Sequence, residues 1–175
     1  MKNRYIEIWK EIPRNTKNII DIGGRKEELL NFSPIPFKGT YLNYDISQGN
    51  DITKTIKKIN KYDVIIFSHV IEHLSNQKTA LQNIRKMMSK DSKLILLTPN
   101  VFSWRRILLY FLRGNGRKRI ESYGGSETHL VTFHLEVLKN LLESENFLIE
   151  KIKFLDTPIN MGKFSEEILL VAKLK

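Results

Sequence analysis

Glycines and carboxylates follow the first two short apolar runs of the chain, at a spacing that suits a nucleotide-like ligand. Gly23 and Gly24 end the first run, and Asp45 lies 22 residues beyond Gly23. A glycine turn lets the backbone approach a ligand, and an acid about 20 residues later can accept the hydroxyls of a ribose. Paired glycines also make tight turns and a lone aspartate also caps turns, so only the combination favours a ribose-containing ligand.

Histidines and an acid follow the third apolar run. Ser68 and His69 end this run, and Glu72 and His73 come one turn later. A histidine at a strand end could act as a general base on an acceptor. The His69-x-x-Glu72-His73 spacing could also present metal ligands, but at most three, and the chain has no cysteine to complete a tetrahedral site. We therefore expect no metal.

Short β-branched runs alternate with helical patterns along the chain. Strands are predicted at 18–22, 40–45, 63–68, 93–98, 147–155 and 168–174, and helices at 77–88 and 135–142. Thr132 is the predicted cap of the second helix, and a helical link should follow the first strand. This alternation predicts an α/β fold, in which helices cover both faces of a mostly parallel sheet. Ligands of such sheets bind beyond the carboxyl ends of the strands, where the polar residues lie.

Composition bounds the protein further. The chain has 175 residues with 41% hydrophobic and 27% charged content, which is typical of one soluble domain over 1–175. It shows no signal peptide and no run of about 18 apolar residues, so a cytoplasmic location is expected. The net charge of +10 favours anionic partners such as nucleic acid, lipid headgroups or phosphorylated metabolites.

The motifs resemble those of class I S-adenosylmethionine-dependent methyltransferases, specifically the group with a strand-end SHVIEHL motif. NIIDIGG, YLNYDIS and NDIT resemble the first three family motifs. YDVIIFSHVIEHL and LQNIRKMMSKDSKLILLTPN resemble the strand, helix and strand that follow, and SHVIEHL is the specific part. The resemblance covers most of the chain. It implies a Rossmann-like, seven-stranded, mostly parallel sheet with an antiparallel last strand, and S-adenosylmethionine as cofactor.

The resemblance also implies which residues bind the cofactor. They are Asp21, Ile22, Gly23, Gly24, Asp45, Ile46, Asp51, Ile52, Ser68 and His69. Asp21 would orient the methionine part and Asp45 would bind the ribose hydroxyls. Asp51 and Ile52 would flank the adenine, whereas Ser68 and His69 would line the sulfonium side.

Two histidines are the catalytic candidates on the acceptor side. His69 is a candidate base or substrate contact, and His129 stands where a histidine faces the acceptor in similar family members. The resemblance makes Glu72 and His73 structural residues that hold the start of a helix. No metal ligand is assigned among them.

The glycine turn departs from the family pattern, which is acid-x-Gly-x-Gly-x-Gly. Arg25 stands at the second glycine position and Glu27 at the third. A side chain at a glycine-only position costs about 1–3 kcal/mol of strain or forces a different turn. The departure leaves open a catalytically inactive methyltransferase fold that serves as a binding protein.

An insertion at 101–128 follows the fourth strand and bears on the acceptor. Apolar residues between 102 and 112 stand beside Arg105 and Arg106, so the segment could cap the acceptor pocket. Alternatively, 101–119 could lie on anionic lipid or contact RNA. We predict a methyltransferase for a small-molecule or glycan/lipid-precursor acceptor, anionic or lipid-linked. An RNA methyltransferase is the alternative, although no appended RNA-binding module is recognisable.

Overall fold

The computed structural model describes residues 2–24, 28–54, 56, 60–113, 130–155 and 162–175. The strands are β1 (Asn18–Ile22), β2 (Thr40–Tyr44), β3 (Tyr62–Ser68), β4 (Met88–Pro99), β5 (Phe147–Leu155) and β6 (Glu167–Leu174). The helices are α1 (Lys2–Glu11), α2 (Glu28–Asn31), α3 (Gln77–Met87), α4 (Trp104–Arg113) and α5 (Leu135–Ser144). Short 3₁₀ turns span Ile46–Gln48, Ile71–His73 and Gly162–Phe164.

The strands form one sheet in the order β2-β1-β3-β4-β6-β5. The pairs β1–β2, β1–β3 and β3–β4 are parallel, and β6 runs antiparallel to both β4 and β5. The predicted mostly parallel sheet and its antiparallel last strand are therefore confirmed. Parallel order brings the carboxyl ends of β1, β2, β3 and β4 to one edge of the sheet, together with the first residues of β6.

The seven-stranded sheet is not confirmed, since the described residues contain six strands. The family resemblance implied the additional strand. The segment 45–61 joins β2 to β3 and must pass β1, because β1 lies between those two strands. One parallel crossover already needs a dozen or more residues, so this segment is too short to add a strand and a second crossover.

Helices cover both faces of the sheet, as predicted. On β3, Ile65 and Phe67 point into the core beneath α3 and α5, whereas Val64 and Ile66 point into the core beneath α1 and α2. This alternation explains why β3 is apolar at nearly every position. The two cores fix the strands, and the strands in turn fix the polar residues at their ends.

One local prediction was wrong, and one helix was not predicted. The residue that precedes α5 and caps it is His134 rather than Thr132, and its side chain makes no capping hydrogen bond. Helix α1 was not predicted, although Tyr5, Ile8 and Trp9 lie at helical spacing and pack in or against the second core. No helix in the described ranges is long and apolar enough to cross a membrane.

Candidate functional site

The turn after β1 brings three strand ends together. Gly23 has φ +78°, a conformation that side chains rarely adopt, and its N–H donates to the carbonyl of Tyr44 at the end of β2 (2.9 Å). A Cβ at Gly23 would lie 2.2 Å from Cγ2 of Val70, which follows β3 by two residues. Glycine is required here both by the backbone conformation and by the contact with Val70.

Asp21 lies beneath this turn and is almost fully buried, with 4% exposure. The hydroxyl of Tyr41, on the neighbouring strand β2, donates to Asp21 Oδ2 (2.5 Å). A Cβ at Gly24 would lie 2.3 Å from the same oxygen, so the glycine lets the backbone approach the carboxylate. Burial raises the pKa of Asp21 to about 6, with Tyr41 opposing the rise and the charge of Asp45 adding to it.

Asp45 and Asp51 each use one carboxylate oxygen to organise their own turn. Asp45 Oδ1 accepts the N–H of Ser47 (2.8 Å) and its hydroxyl, and so caps the 3₁₀ turn Ile46–Gln48. Asp51 Oδ1 accepts the N–H (2.9 Å) and hydroxyl (2.7 Å) of Thr53, and these bonds hold the pKa of Asp51 below its usual range. In both residues these bonds leave Oδ2 for other contacts.

These three aspartates are referred to below as the acidic half of the site. Asp45 is close enough to raise the pKa of Asp21, and Asp51 adds to the burial that raises the pKa of Tyr44. Among the described residues, Lys54 forms an ion pair with one of these carboxylates: its Nζ lies 3.5 Å from Asp51 Oδ2, and its side chain is 80% exposed. The acidic half is therefore a negative region at the ends of β1 and β2.

The isoleucines predicted beside these acids differ in how far they are buried. Ile46 is exposed, whereas Ile22 and Ile52 are buried in the core beneath α3 and α5. The side-chain amide of Asn83 donates to the carbonyl of Ile52 (2.8 Å) and fixes that turn on α3. Ser68 is half-buried at the end of β3.

His69 lies in a cluster of four ionisable residues at the ends of β3, β4 and β6. Its Nε2 is 3.0 Å from Glu167 Oε1, and its Nδ1 is 3.3 Å from Glu72 Oε1. Arg4 of α1 places Nη1 3.0 Å from His69 Nε2 and 3.3 Å from Glu167 Oε1. Glu72, which is buried, also accepts a hydrogen bond from the hydroxyl of Thr98 through Oε2 (3.1 Å).

The pKa values in this cluster follow from its charges. Burial opposes the charged form of His69, but the carboxylates of Glu167 and Glu72 outweigh burial and raise the pKa of His69 to about 9. Burial likewise opposes the charged form of Glu167, while His69 and Arg4 together hold the pKa of Glu167 below its usual value. Arg4, His69, Glu72 and Glu167 are referred to below as the balanced cluster.

The residues after β4 anchor the start of the insertion. The amide nitrogen of buried Asn100 donates to the carbonyls of Lys163 and Ser165 (both 2.9 Å), and its oxygen accepts the N–H of Phe102 (3.1 Å). Arg105, on α4, forms an ion pair with Glu166 at 2.7 Å. Helix α4 is thus tied to the segment that enters β6.

Several residues named in the sequence analysis lie outside the described ranges. His129, Arg25, Glu27 and the insertion from 114 onward are outside those ranges. His134 lies against Phe102, with ring centroids 5.4 Å apart. Across the described parts of the chain, no group of three or more histidine, aspartate or glutamate side chains is arranged to hold a metal ion.

Sequence reasoning missed three residues at the site: Arg4, Tyr41 and Glu167. Tyr41 belongs to β2, the strand that Asp45 follows, and the pairing of β2 with β1 could have been inferred from the parallel sheet. Arg4 and Glu167 are separated from His69 by 65 and 98 residues, and no spacing rule connects them. Only the fold brings these two side chains to the end of β3.

The comparisons with known proteins agree with this architecture. A methyltransferase domain family matches residues 1–152. The fold is similar to that of a SAM-dependent methyltransferase from Archaeoglobus fulgidus, at TM-score 0.62 and 20% identity over 98% of this chain and 90% of that one. It is also similar to a SAM-dependent methyltransferase from Thermotoga maritima, at TM-score 0.67 and 12% identity over 99% and 89%.

A third similar structure is much longer than this protein. The CurJ carbon methyltransferase matches at TM-score 0.62 and 16% identity over 97% of this chain, which spans 51% of that structure. No curated protein sequence matches the chain. At identities this low, structural similarity establishes only the fold. The family match, which extends over most of the chain, establishes the family. The glycine turn and acidic strand ends agree with these matches. The chain belongs to the methyltransferase domain family and has the fold of class I S-adenosylmethionine-dependent methyltransferases.

Proposed function

We propose that this protein binds S-adenosylmethionine and transfers its methyl group to a small-molecule acceptor. The acidic half carries the proposal: Asp21, Asp45 and Asp51 make the ends of β1 and β2 negative. The cofactor has a sulfonium, an ammonium and a ribose, so it suits a site of carboxylates. Gly23 and Gly24 keep the turn packed on Val70 and Asp21, where a Cβ would collide, and their backbone would be able to approach such a ligand closely.

Each acid has a distinct proposed role. Asp21, with Oδ2 held by Tyr41, would accept the ammonium through its other oxygen. Asp45 would bind the ribose hydroxyls through Oδ2, because Oδ1 is used by Ser47. Asp51 would border the adenine together with the exposed side chain of Ile46, since Ile52 packs in the core.

Methyl transfer from a sulfonium requires the protein mainly to align the acceptor with the methyl group. The sulfonium supplies an activated methyl group, and the protein positions the acceptor in line with it and excludes water. Ser68 and the backbone after it lie next to the glycine turn, because Val70 packs against Gly23. These residues would border the methyl group, within the SHVIEHL segment that suggested this family.

The acceptor would bind beside α4. We propose that 1–175 form one domain and that the insertion at 101–128 covers the acceptor pocket. The ion pair of Arg105 with Glu166 supports this position, since it holds α4 against the edge that carries the acidic half. A phosphate or lipid-linked group on the acceptor would have to compete with Glu166 for Arg105. His129 remains a proposed acceptor contact.

Calorimetry with three ligands tests the cofactor proposal. We expect S-adenosylmethionine and S-adenosylhomocysteine to bind, and NAD not to bind, because NAD needs a turn that holds its phosphates. Asp45→Asn keeps an oxygen for the Ser47 cap and removes the charge that faces the ribose. It should weaken binding of both ligands by about 1.5–3 kcal/mol.

Asp91→Asn is the matched control, because Asp91 is an exposed acid near the amino end of β4, away from the site. It should leave affinity unchanged. Failure of the wild-type protein to bind either ligand at millimolar concentration would contradict the proposed activity and would favour a catalytically inactive binding protein. Salt-sensitive binding of RNA, together with cofactor binding, would instead favour an RNA acceptor.

A further inference from the structure

His69 stands at a strained position where the two halves of the site meet. Its φ is +55°, which is uncommon for a residue with a side chain. Its N–H donates to the carbonyl of Leu97 on β4 (2.8 Å), and the next residue, Val70, packs against Gly23. His69 is therefore one residue away from the contact with the glycine turn.

Both ring nitrogens of His69 lie within ion-pair distance of a carboxylate. Nδ1 is 3.3 Å from Glu72 Oε1, a buried oxygen that accepts no hydrogen bond from the described residues. Nε2 faces Glu167 Oε1 at 3.0 Å. A carboxylate can only accept, so a proton on each ring nitrogen suits both neighbours, and only the imidazolium carries a proton on both nitrogens.

Arg4 allows an alternative, which the charge count disfavours. Its Nη1 lies 3.0 Å from His69 Nε2 and could donate to a neutral ring. The cluster would then hold one positive and two negative charges in a largely buried place, which is costly. With His69 charged, Arg4 and His69 balance Glu72 and Glu167, and Arg4 still donates to Glu167 (3.3 Å). A charged His69 would have no free ring lone pair and would not act as a general base, which was one of the roles predicted for it.

We propose that His69 is a charged positioning residue, and that Glu72 and Glu167 cancel its charge so that the balanced cluster is electrically neutral toward the cofactor's sulfonium. This inference rests on the proposed function. It assigns to Arg4 and Glu167 a role in the discrimination between substrate and product. S-adenosylmethionine carries a sulfonium charge that S-adenosylhomocysteine lacks, so an unbalanced charge in the cluster would change their relative affinities.

The charge of His69 can be measured without any ligand. The chain has four histidines, so His69→Gln identifies the ring signals of His69 in a spectrum of isotope-labelled protein. We expect His69 to remain an imidazolium at pH 8, in keeping with its raised pKa of about 9. Titration of His69 near pH 6.5, the value of a free histidine, would overturn the proposal.

The charge balance is tested by the ratio of the two ligand affinities. Glu167→Gln leaves the cluster with one excess positive charge while His69 is protonated, and with none once His69 loses its proton. At pH 6 this variant should bind S-adenosylmethionine about three- to tenfold more weakly relative to S-adenosylhomocysteine than wild type does. The ratio should recover by pH 8, whereas the wild-type ratio should be the same at both pH values.

Two further variants separate charge from damage to the fold. Glu166→Gln removes the same charge one residue away, where the partner is Arg105, and should leave both the ratio and the His69 titration unchanged. Arg4→Gln leaves an excess negative charge in the cluster. It should strengthen binding of S-adenosylmethionine relative to S-adenosylhomocysteine, the opposite of the effect of Glu167→Gln. A misfolded variant would weaken both ligands together and could not produce opposite shifts.

The outcomes are distinguishable. If both ligands bind and neither Glu167→Gln nor Arg4→Gln changes the ratio, the inference is overturned while the proposed function stands. If wild type binds neither ligand, the proposed function fails, and the discrimination role fails with it. Opposite shifts in the two variants, with Glu166→Gln unchanged, support the inference.

Discussion

The two halves of the site carry their charge in opposite ways. The acidic half places Asp21, Asp45 and Asp51 together, and its hydrogen bonds come mainly from hydroxyl and backbone N–H groups. The balanced cluster pairs two cations with two carboxylates, on α1, β6 and the residues after β3. Charges that cancel internally stabilise the fold, whereas carboxylates with little internal compensation are suited to an external cation. The halves should therefore respond differently to substitution.

The largest expected effect comes from unbalancing the cluster. Glu72 is 1% exposed, and Glu72→Gln leaves the charge of His69 without one of the two carboxylates that neutralise it. We expect the free energy of unfolding to fall by about 3 kcal/mol, measured by chemical denaturation. Glu136→Gln is the control, because Glu136 is 64% exposed and pairs with Lys139 on the surface of α5; it should cost under about 1 kcal/mol.

This cluster also predicts a pH dependence of stability. The pKa of His69 is raised from 6.5 to about 9 in the folded protein, so its contribution is complete below pH 6.5. It should be lost as the pH rises through about 9. Glu72→Gln should show a smaller loss over that range. Equal costs for Glu72→Gln and Glu136→Gln would contradict a stabilising role for the cluster.

The next effect concerns Gly23, which packs against Val70 between the two halves. Gly23→Ala introduces strain at φ +78° and a collision with Val70, whereas Gly49→Ala introduces strain at φ +81° with open space around it. We expect unfolding costs of about 1 kcal/mol for Gly49→Ala and about 2–3 kcal/mol for Gly23→Ala. Adding Val70→Ala to Gly23→Ala should recover part of the difference. Equal costs in the two alanine variants would mean that Val70 does not pack tightly against Gly23.

The smallest effect sharpens the distinction between the halves. Asp21 has a pKa of about 6, so binding of an ammonium should weaken as the pH falls through 6. The hydroxyl of Tyr41 opposes the rise in that pKa, so Tyr41→Phe should move the weakening to higher pH, with affinity about threefold lower near pH 6.5. S-adenosylmethionine and S-adenosylhomocysteine should change together in calorimetry, because both carry the ammonium. A change in one ligand alone would place Tyr41 with the balanced cluster instead.

Much of the fold could be predicted from local patterns. The bounds of β1 and β5 match the predicted strands, since apolar alternation and flanking turn residues are local signals. The six predicted strands are present, whereas the seventh came from family resemblance and does not fit the short segment 45–61. The Thr132 cap was wrong because backbone geometry, rather than residue type, sets where α5 begins.

The sequence by itself determined which residues form the acidic half. Parallel strands end at one edge of the sheet, and the predicted strand ends place Asp21, Gly23 and Asp45 there. The sequence left His69 open as a base, a ligand or a contact. Only the tertiary structure decided its partners, because Arg4 and Glu167 come from distant parts of the chain. The charge of a buried histidine depends on the groups that surround it, and no local spacing encodes those groups.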